Sequence, residues 1–218
     1  MADPFPELEE DVSPQRQAEE LKTLRLALWG VVLLVVGIGL VAMFAPDRTP
    51  PANDQAAYAD LIGGPFALTA PDGARVTDQT LKGTPFAIFF GFTRCPDVCP
   101  TTLSRMASLR KQLGKDGEKF RIVFVSVDPG YDSPEDIGRY VALFGTPILG
   151  LTGTDQEVDA AVKAYRAFYE KVPTSGGDYT IDHTASVYLM DASGKLQSII
   201  AYDETNPSAL AKLKRLVG

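Results

Sequence analysis

"PFAIFFGFTRCPDVCP", residues 85–100, holds both cysteines of a 218-residue chain. Its first half, Pro85 to Phe92, is a continuous apolar run of strand length, the pattern of a strand covered on both faces. The run leads directly to Cys95 and Cys99, each followed by proline. Pro100 suits a first helical position, and Leu103, Met106, Ala107 and Leu113 follow on one face. The stretch therefore predicts a buried strand, a short loop with two thiols, and a helix. Open α/β sheets place their sites at this junction, outside the carboxyl end of a strand.

Working outward, "RIVFVSV", residues 121–127, is the next buried strand. Ser133-Pro134-Glu135-Asp136 resembles a capping box with proline at N1. Thr154-Asp155-Gln156-Glu157 is another such box, opening a helix that carries Val158, Val162 and Tyr165. "TASVYLMD" and "KLQSIIAYD" flank Ala192-Ser193-Gly194 as a hairpin, and Asn206-Pro207 opens a last helix with Leu210, Leu213 and Leu216 inward. Upstream, "PFALTAPDGARVTD" reads as a hairpin turning at Pro71-Asp72-Gly73. The expected fold class is α/β: a thioredoxin-like fold with a central mixed sheet flanked by helices and an N-terminal β-hairpin extension.

Before this domain, Leu26 to Ala45 runs twenty residues without a charge, enough helix to cross about 30 Å of hydrocarbon. A cleaved signal peptide needs a short basic leader and small residues before the cut; this leader is long and acidic, and Met43 would stand at −3. The expected organisation is an acidic cytoplasmic tail over 1–25, a transmembrane anchor over 26–45, a polar proline-bearing linker over 46–60, and the globular domain over 61–218. Arg16, Lys22 and Arg25 precede the span and only Arg48 follows closely, a bias that keeps the N-terminus inside and exports the domain. Trp29 fits an interfacial aromatic belt. The acidic leader argues against a mitochondrial presequence, which would be Arg-rich and acid-poor, and the expected location is a bacterial inner membrane with the domain in the periplasm. The leader carries a charge of −4 and the remainder −3 of the net −7, with no basic patch or stripe for nucleic acid.

A structural disulfide is the plainest use of two cysteines in an exported protein. Closing a five-residue loop gains only about 2 kcal/mol on the chain-entropy model, against roughly 4.7 kcal/mol for a loop of a hundred. The helix N-terminus after the pair favours thiolate, as nucleophile or as metal ligand. A redox dithiol is normally Cys-x-x-Cys; here three residues, Pro96-Asp97-Val98, separate the sulfurs, which leaves room for an ion. Two thiolates suit Cu(I), and a site that also takes Cu(II) needs a borderline donor such as imidazole. The chain has one histidine, His183 in "DYTIDHTASVYL", before a strand expected beside the one ending at Cys95. By residue chemistry alone, a histidine there is more often a hydrogen-bonded structural residue. Zinc is disfavoured, because structural zinc takes four protein ligands.

"FFGFTRCPDVCP", "VFVSVDPGYDSPEDIGRYVALFG" and "DYTIDHTASVYLMDASGKL", in this order behind an N-terminal anchor, resemble the Sco/SenC family of cytochrome oxidase assembly proteins. The likeness runs from about Gly64 to the C-terminus. It implies a thioredoxin-like domain binding copper, as Cu(I) or Cu(II), through Cys95, Cys99 and His183, and helping to build the CuA centre of cytochrome c oxidase. It also draws attention to Asp128 near the metal; its local alternative is a turn-forming Asp before Pro129. Asp97 is either a group tuning the ligands from behind or a solvated loop acid.

The implied protein is a copper chaperone rather than an enzyme. Its partners are the oxidase subunit carrying CuA, a periplasmic copper donor, and a periplasmic thiol reductant, because a Cys95–Cys99 disulfide offers no thiolate. The first rival is a thiol-disulfide oxidoreductase that uses the redox-active Cys95–Cys99 pair to reduce the cysteines of its target. Such reductases usually carry a proline before the strand facing the dithiol, where this chain reads Ile181-Asp182-His183-Thr184. The second rival is a peroxiredoxin-type peroxidase, whose flanking motifs match less well.

Overall fold

The computed structural model describes residues 14–44 and 61–218. Helix α1, Pro14–Phe44, is one unbroken helix of 31 residues. It starts twelve residues before the expected span, so the helix takes in part of the polar leader. The window Leu21–Ile38 has a mean hydropathy of 2.0, and the helix is long and apolar enough to cross a membrane. The expected linker over 46–60, Ala45 and the first thirteen residues of the leader lie outside the described residues.

The domain opens with the expected hairpin, β1 (Ala67–Thr69) against β2 (Arg75–Thr77). Its turn is closed by the Gly73 amide donating to the Ala70 carbonyl at 2.9 Å, and Gly73 sits at φ +84°, where side chains are strained. A one-turn helix, α2 (Asp78–Leu81), follows with a Thr77 to Thr80 capping box. Then come β3 (Phe86–Gly91), α3 (Val98–Gln112), a 3₁₀ turn (Gly114–Lys119) and β4 (Arg121–Ser126). Every residue of β3 is buried, and β3 pairs in parallel with β4. This is the right setting for an uninterrupted apolar run, since a central parallel strand has no solvent face.

Both predicted capping boxes form. Ser133 and Asp136 cap α4 (Pro134–Ala142), and Thr154 and Glu157 cap α5 (Asp155–Ala164). Between these helices lies a strand the sequence did not announce, β5 (Ile148–Leu151), parallel to β4. Its four residues include Gly150, whose place a side chain could not take, because a Cβ there would lie 2.3 Å from Ile137. The hairpin β1–β2 joins this side of the sheet through a Thr69–Thr152 bridge.

A second unannounced feature is the hairpin of β6 (Tyr169–Pro173) and β7 (Tyr179–His183), a two-stranded sheet of its own. The predicted hairpin β8 (Val187–Met190) and β9 (Leu196–Ile200) follows, with β8 antiparallel to β3. The last helix is α6 (Asn206–Val217). Its N-cap is Thr205, one residue earlier than the sequence indicated, and Leu213 and Leu216 are buried as expected. The main sheet runs β5-β4-β3-β8-β9, a mixed sheet of the thioredoxin type. Its core is aromatic: Phe86, Phe89, Phe90 and Phe124 are at most 1% exposed, each worth about 1.5–3 kcal/mol of burial.

Candidate metal centre

The site forms where β3 ends, in the centre of the sheet. Helix α3 begins at Val98, two residues before the position expected for Pro100 at N1, and takes Pro100 into its first turn instead. Proline is accepted there because first-turn amides have no partner within the helix. Cys99 is thereby a helical residue, fully buried, whereas Cys95 stays on the loop, half-buried. The helix lacks a side-chain cap from its N-cap residue Asp97. The Cys95 sulfur takes that place, accepting the Cys99 amide at 3.4 Å. An anion is favoured at such a helix end.

The ligand atoms of Cys95, Cys99 and His183 lie within 4.8 Å of one another. His183 Nε2 is 4.0 Å from Cys95 Sγ and 3.4 Å from Cys99 Sγ. A trigonal ion with bonds of about 2.3 Å to sulfur and 2.0 Å to nitrogen would separate S and N by about 3.7 Å, between these two distances. The other ring nitrogen, Nδ1, is 3.1 Å from the Thr184 carbonyl. A carbonyl only accepts, so Nδ1 carries the proton and the Nε2 lone pair faces the sulfurs. Phe89 and Phe92 meet the imidazole edge-on at 5.7 and 5.9 Å and hold its plane. A shallow cleft of about 280 Å³, between Pro96, Val98 and Ala185, opens beside Cys95 and His183.

The two thiols differ electrostatically. Cys95 is lowered to about 4, first by the hydrogen bond from the Cys99 thiol, against the opposing effect of burial, and further by the backbone amides of Cys99 and Asp97. Cys99 is driven strongly upward by its hydrogen bond to Cys95, by burial and by the neighbouring negative charge. The reduced pair thus holds one thiolate, at the half-exposed position, and one thiol. Because the folded Cys95 value lies below the ordinary thiol value near 9, its reactive form is present at all pH above about 4. Iodoacetamide is expected to modify Cys95 at a rate that stays flat from pH 8 down to pH 5 and falls near pH 4, with Cys99 untouched. A rate rising through pH 8–9 would refute the assignment.

Several residues that the sequence reading passed over build this site. Gly91, the last residue of β3, lies under the Cys99 sulfur: a Cβ there would come within 2.5 Å of Sγ and 3.1 Å of the Phe124 ring. A glycine ending an otherwise bulky strand is the available signal, since it marks a close approach. Asp132 is fully buried and accepts from the Thr93 amide at 2.9 Å, the Thr93 hydroxyl at 2.5 Å and the Ser126 hydroxyl at 2.6 Å. It fixes the start of the cysteine loop.

Asp128, singled out from the sequence, is also fully buried. Its carboxylate accepts from Arg94 at 3.2 Å and the Tyr179 hydroxyl at 2.8 Å and pairs with Lys171 at 3.2 Å. It thus joins the residue before Cys95 to the hairpin that carries His183. Asp97 accepts from the Thr101 hydroxyl at 3.1 Å, and its contribution to Cys95 comes from its backbone amide, not its carboxylate.

A thioredoxin-type domain with two cysteines at a helix N-terminus and an imidazole facing them is the class of protein that this fold and site define. The chain belongs to the SCO1/SenC family, whose model matches residues 54–218, ten residues further upstream than the quoted motifs indicated. It is 38% identical over 196 residues to Protein SenC of Rhodobacter capsulatus, covering 87% of each chain. Among solved structures it resembles ScoI of Bradyrhizobium japonicum with copper bound, at 46% identity and a TM-score of 0.66, covering 71% of this chain and 99% of that one. It also resembles BsSco, described as a member of the Sco family of cytochrome c oxidase assembly proteins with a disulfide switch, at 27% identity and a TM-score of 0.58, over 72% of this chain and 94% of that one.

Proposed function

We propose that this protein is a membrane-anchored periplasmic copper chaperone that delivers copper to the CuA centre of cytochrome c oxidase during assembly, with Cys95, Cys99 and His183 as the ligands. The observation that carries the reading is the convergence of the two sulfurs with an Nε2 lone pair whose direction is set by Nδ1 and Thr184. Thiolates suit Cu(I), and the imidazole extends the set to Cu(II). The copper-bound ScoI structure and the assembly role stated for BsSco support it.

Copper is the cargo. Three ligands beside an open cleft leave a side from which an acceptor thiolate can attack and replace the bonds in turn, whereas a closed four-ligand site would retain the ion. Loading requires the dithiol, so a periplasmic dithiol reductant acts before the copper donor: its two thiols become a disulfide as the Cys95–Cys99 bond is cleaved to two thiols. The apolar helix, flanked inside by Arg16, Lys22 and Arg25, anchors the chain with residues 1–25 cytoplasmic, 26–45 spanning, 46–60 as tether and 61–218 in the periplasm of a bacterial inner membrane.

A second reading has its own observation. A half-exposed thiolate at Cys95 beside a buried thiol at Cys99 is the division of labour of an attacking and a resolving cysteine, which fits a reductase acting on the CuA-site cysteines. The full-length chain in detergent, reduced and anaerobic, is to be titrated with Cu(I) and Cu(II) beside His183→Ala. One equivalent bound, with a Cu(II)–thiolate charge-transfer band that the variant loses, is expected of the chaperone. Equal binding by the variant, or binding no stronger than by an unrelated dithiol, would turn the assignment to thiol exchange.

A further inference from the structure

We propose that Arg94 is a positioning residue: it staples the cysteine loop to the β6–β7 hairpin and so sets the direction in which His183 presents Nε2. This deepens the three-ligand reading above and rests on it.

The ligands come from separate pieces of the fold. The sulfurs belong to the β3–α3 junction, and the imidazole belongs to a hairpin that shares no ladder with the five-stranded sheet. Within the two hairpin strands Ile181 is the one buried residue among those described. Apolar packing alone therefore attaches the hairpin weakly, and polar contacts must orient it. At the His183 end, its register partner Tyr169 donates to Asp159 of α5 at 2.6 Å. A strand held at that end alone would be free to swing.

Arg94, adjacent to Cys95, holds the other end together with Asp128, which accepts from the Tyr179 hydroxyl at 2.8 Å and pairs with Lys171 at 3.2 Å. Its guanidinium lies between the rings of Tyr131 at 4.1 Å and Tyr179 at 4.7 Å. Nη1 donates to both Asp178 oxygens at 3.1 and 3.2 Å, and Nη2 donates to Asp128 at 3.2 Å. Tyr179 is the first residue of β7 and Asp178 the loop residue before it, and Asp128 and Tyr131 belong to the loop after β4. One planar group thus ties three segments, and its side chain is 20% exposed. Lysine, a point charge without a stacking face or a two-pronged donor, does not reproduce this. Metal ligands must be held within about 10–20° of their productive direction, so a swing of β7 would spoil coordination by nitrogen while leaving both sulfurs in place.

The test uses the full-length chain in detergent, reduced, with Arg94→Met, Arg94→Lys and Asp178→Asn, each made alone and in the His183→Ala background. Nitrogen hyperfine coupling in the Cu(II) spectrum and the rate of copper release to a chelator are the readouts. Arg94→Met is expected to release copper about tenfold or more faster, as loss of a group orienting a ligand does, with weakened nitrogen coupling. Arg94→Lys is expected not to restore either property, and Asp178→Asn, a change at an exposed carboxylate, to give a smaller loss of the same kind. In the His183→Ala background Arg94→Met is expected to change the rate less than about twofold, since a residue acting through the imidazole has nothing left to act on. Equal acceleration in both backgrounds, or an unchanged nitrogen coupling in Arg94→Met, overturns the proposal alone. Absence of nitrogen coupling in the unsubstituted protein overturns the three-ligand reading and this proposal with it.

Discussion

Gly91→Ala is expected to weaken copper binding by about 10- to 100-fold, the usual effect of disturbing what lies directly behind a metal ligand. The added methyl would come within 2.5 Å of the Cys99 sulfur and within 3.1 and 3.2 Å of the Phe124 and Phe89 rings. None of these neighbours yields easily, because Cys99 is fixed in the first turn of α3 and both rings are fully buried. Overpacking of this kind costs about 1–3 kcal/mol of stability. Alanine is otherwise acceptable in the extended backbone of β3, so the whole effect is steric. Chelator competition on the reduced protein, with a thermal melt alongside, separates the two losses. Unchanged affinity would mean that the sulfur has freedom this packing denies it.

Asp132→Ala is expected to produce the largest loss of stability among single substitutions around the site. It removes the acceptor for the Thr93 amide, the Thr93 hydroxyl and the Ser126 hydroxyl. An unsatisfied donor costs about 1–3 kcal/mol where it is fully buried, as the Ser126 hydroxyl is, and less at the half-buried Thr93, so roughly 3–5 kcal/mol in total. At about 2–4 °C per kcal/mol for a domain of this size, the melting temperature is expected to fall by about 6–20 °C. The copper loop should loosen with it, and Asp132→Asn, which keeps one carbonyl acceptor, should lose less. A fall under about 3 °C would show that Thr93 and Ser126 rebond elsewhere at little cost.

The parts legible in the sequence are those where one physical requirement dominates a short stretch. A strand buried on both faces must be apolar, and β3 is so throughout and β4 from Ile122 to Val125. A helix end needs a polar cap, and Ser133 and Thr154 declare theirs. The β6–β7 hairpin escaped because it obeys no such rule: with Ile181 alone buried, "YEKVP" and "YTIDH" show no alternation to read. Strand β5 escaped because four residues with a glycine inside carry too little pattern.

At the site, the residue types of Cys95 and Cys99 announced soft-metal or redox chemistry, the chain's one histidine was the available imidazole, and the family resemblance gave His183 the ligand role. The resemblance also drew attention to Asp128, but its part in fastening Arg94, Lys171 and Tyr179 together depends on residues 34, 43 and 51 positions away. Such long-range polar knots leave no periodic trace. Gly91 and Asp132 are similar cases, each meaningful only beside a partner that the fold supplies.

The proton on Nδ1 of His183 is held by a main-chain carbonyl, that of Thr184, whose own amide donates to the Phe168 carbonyl. Neither acceptor belongs to a side chain. The tautomer therefore does not depend on the side chain at 168, whereas at 184 any residue except proline offers the same two groups but only a hydroxyl side chain also accepts the Phe168 amide, at 2.8 Å. Descendants of this sequence can rewrite the rim of the cleft freely while inheriting the tautomer unchanged.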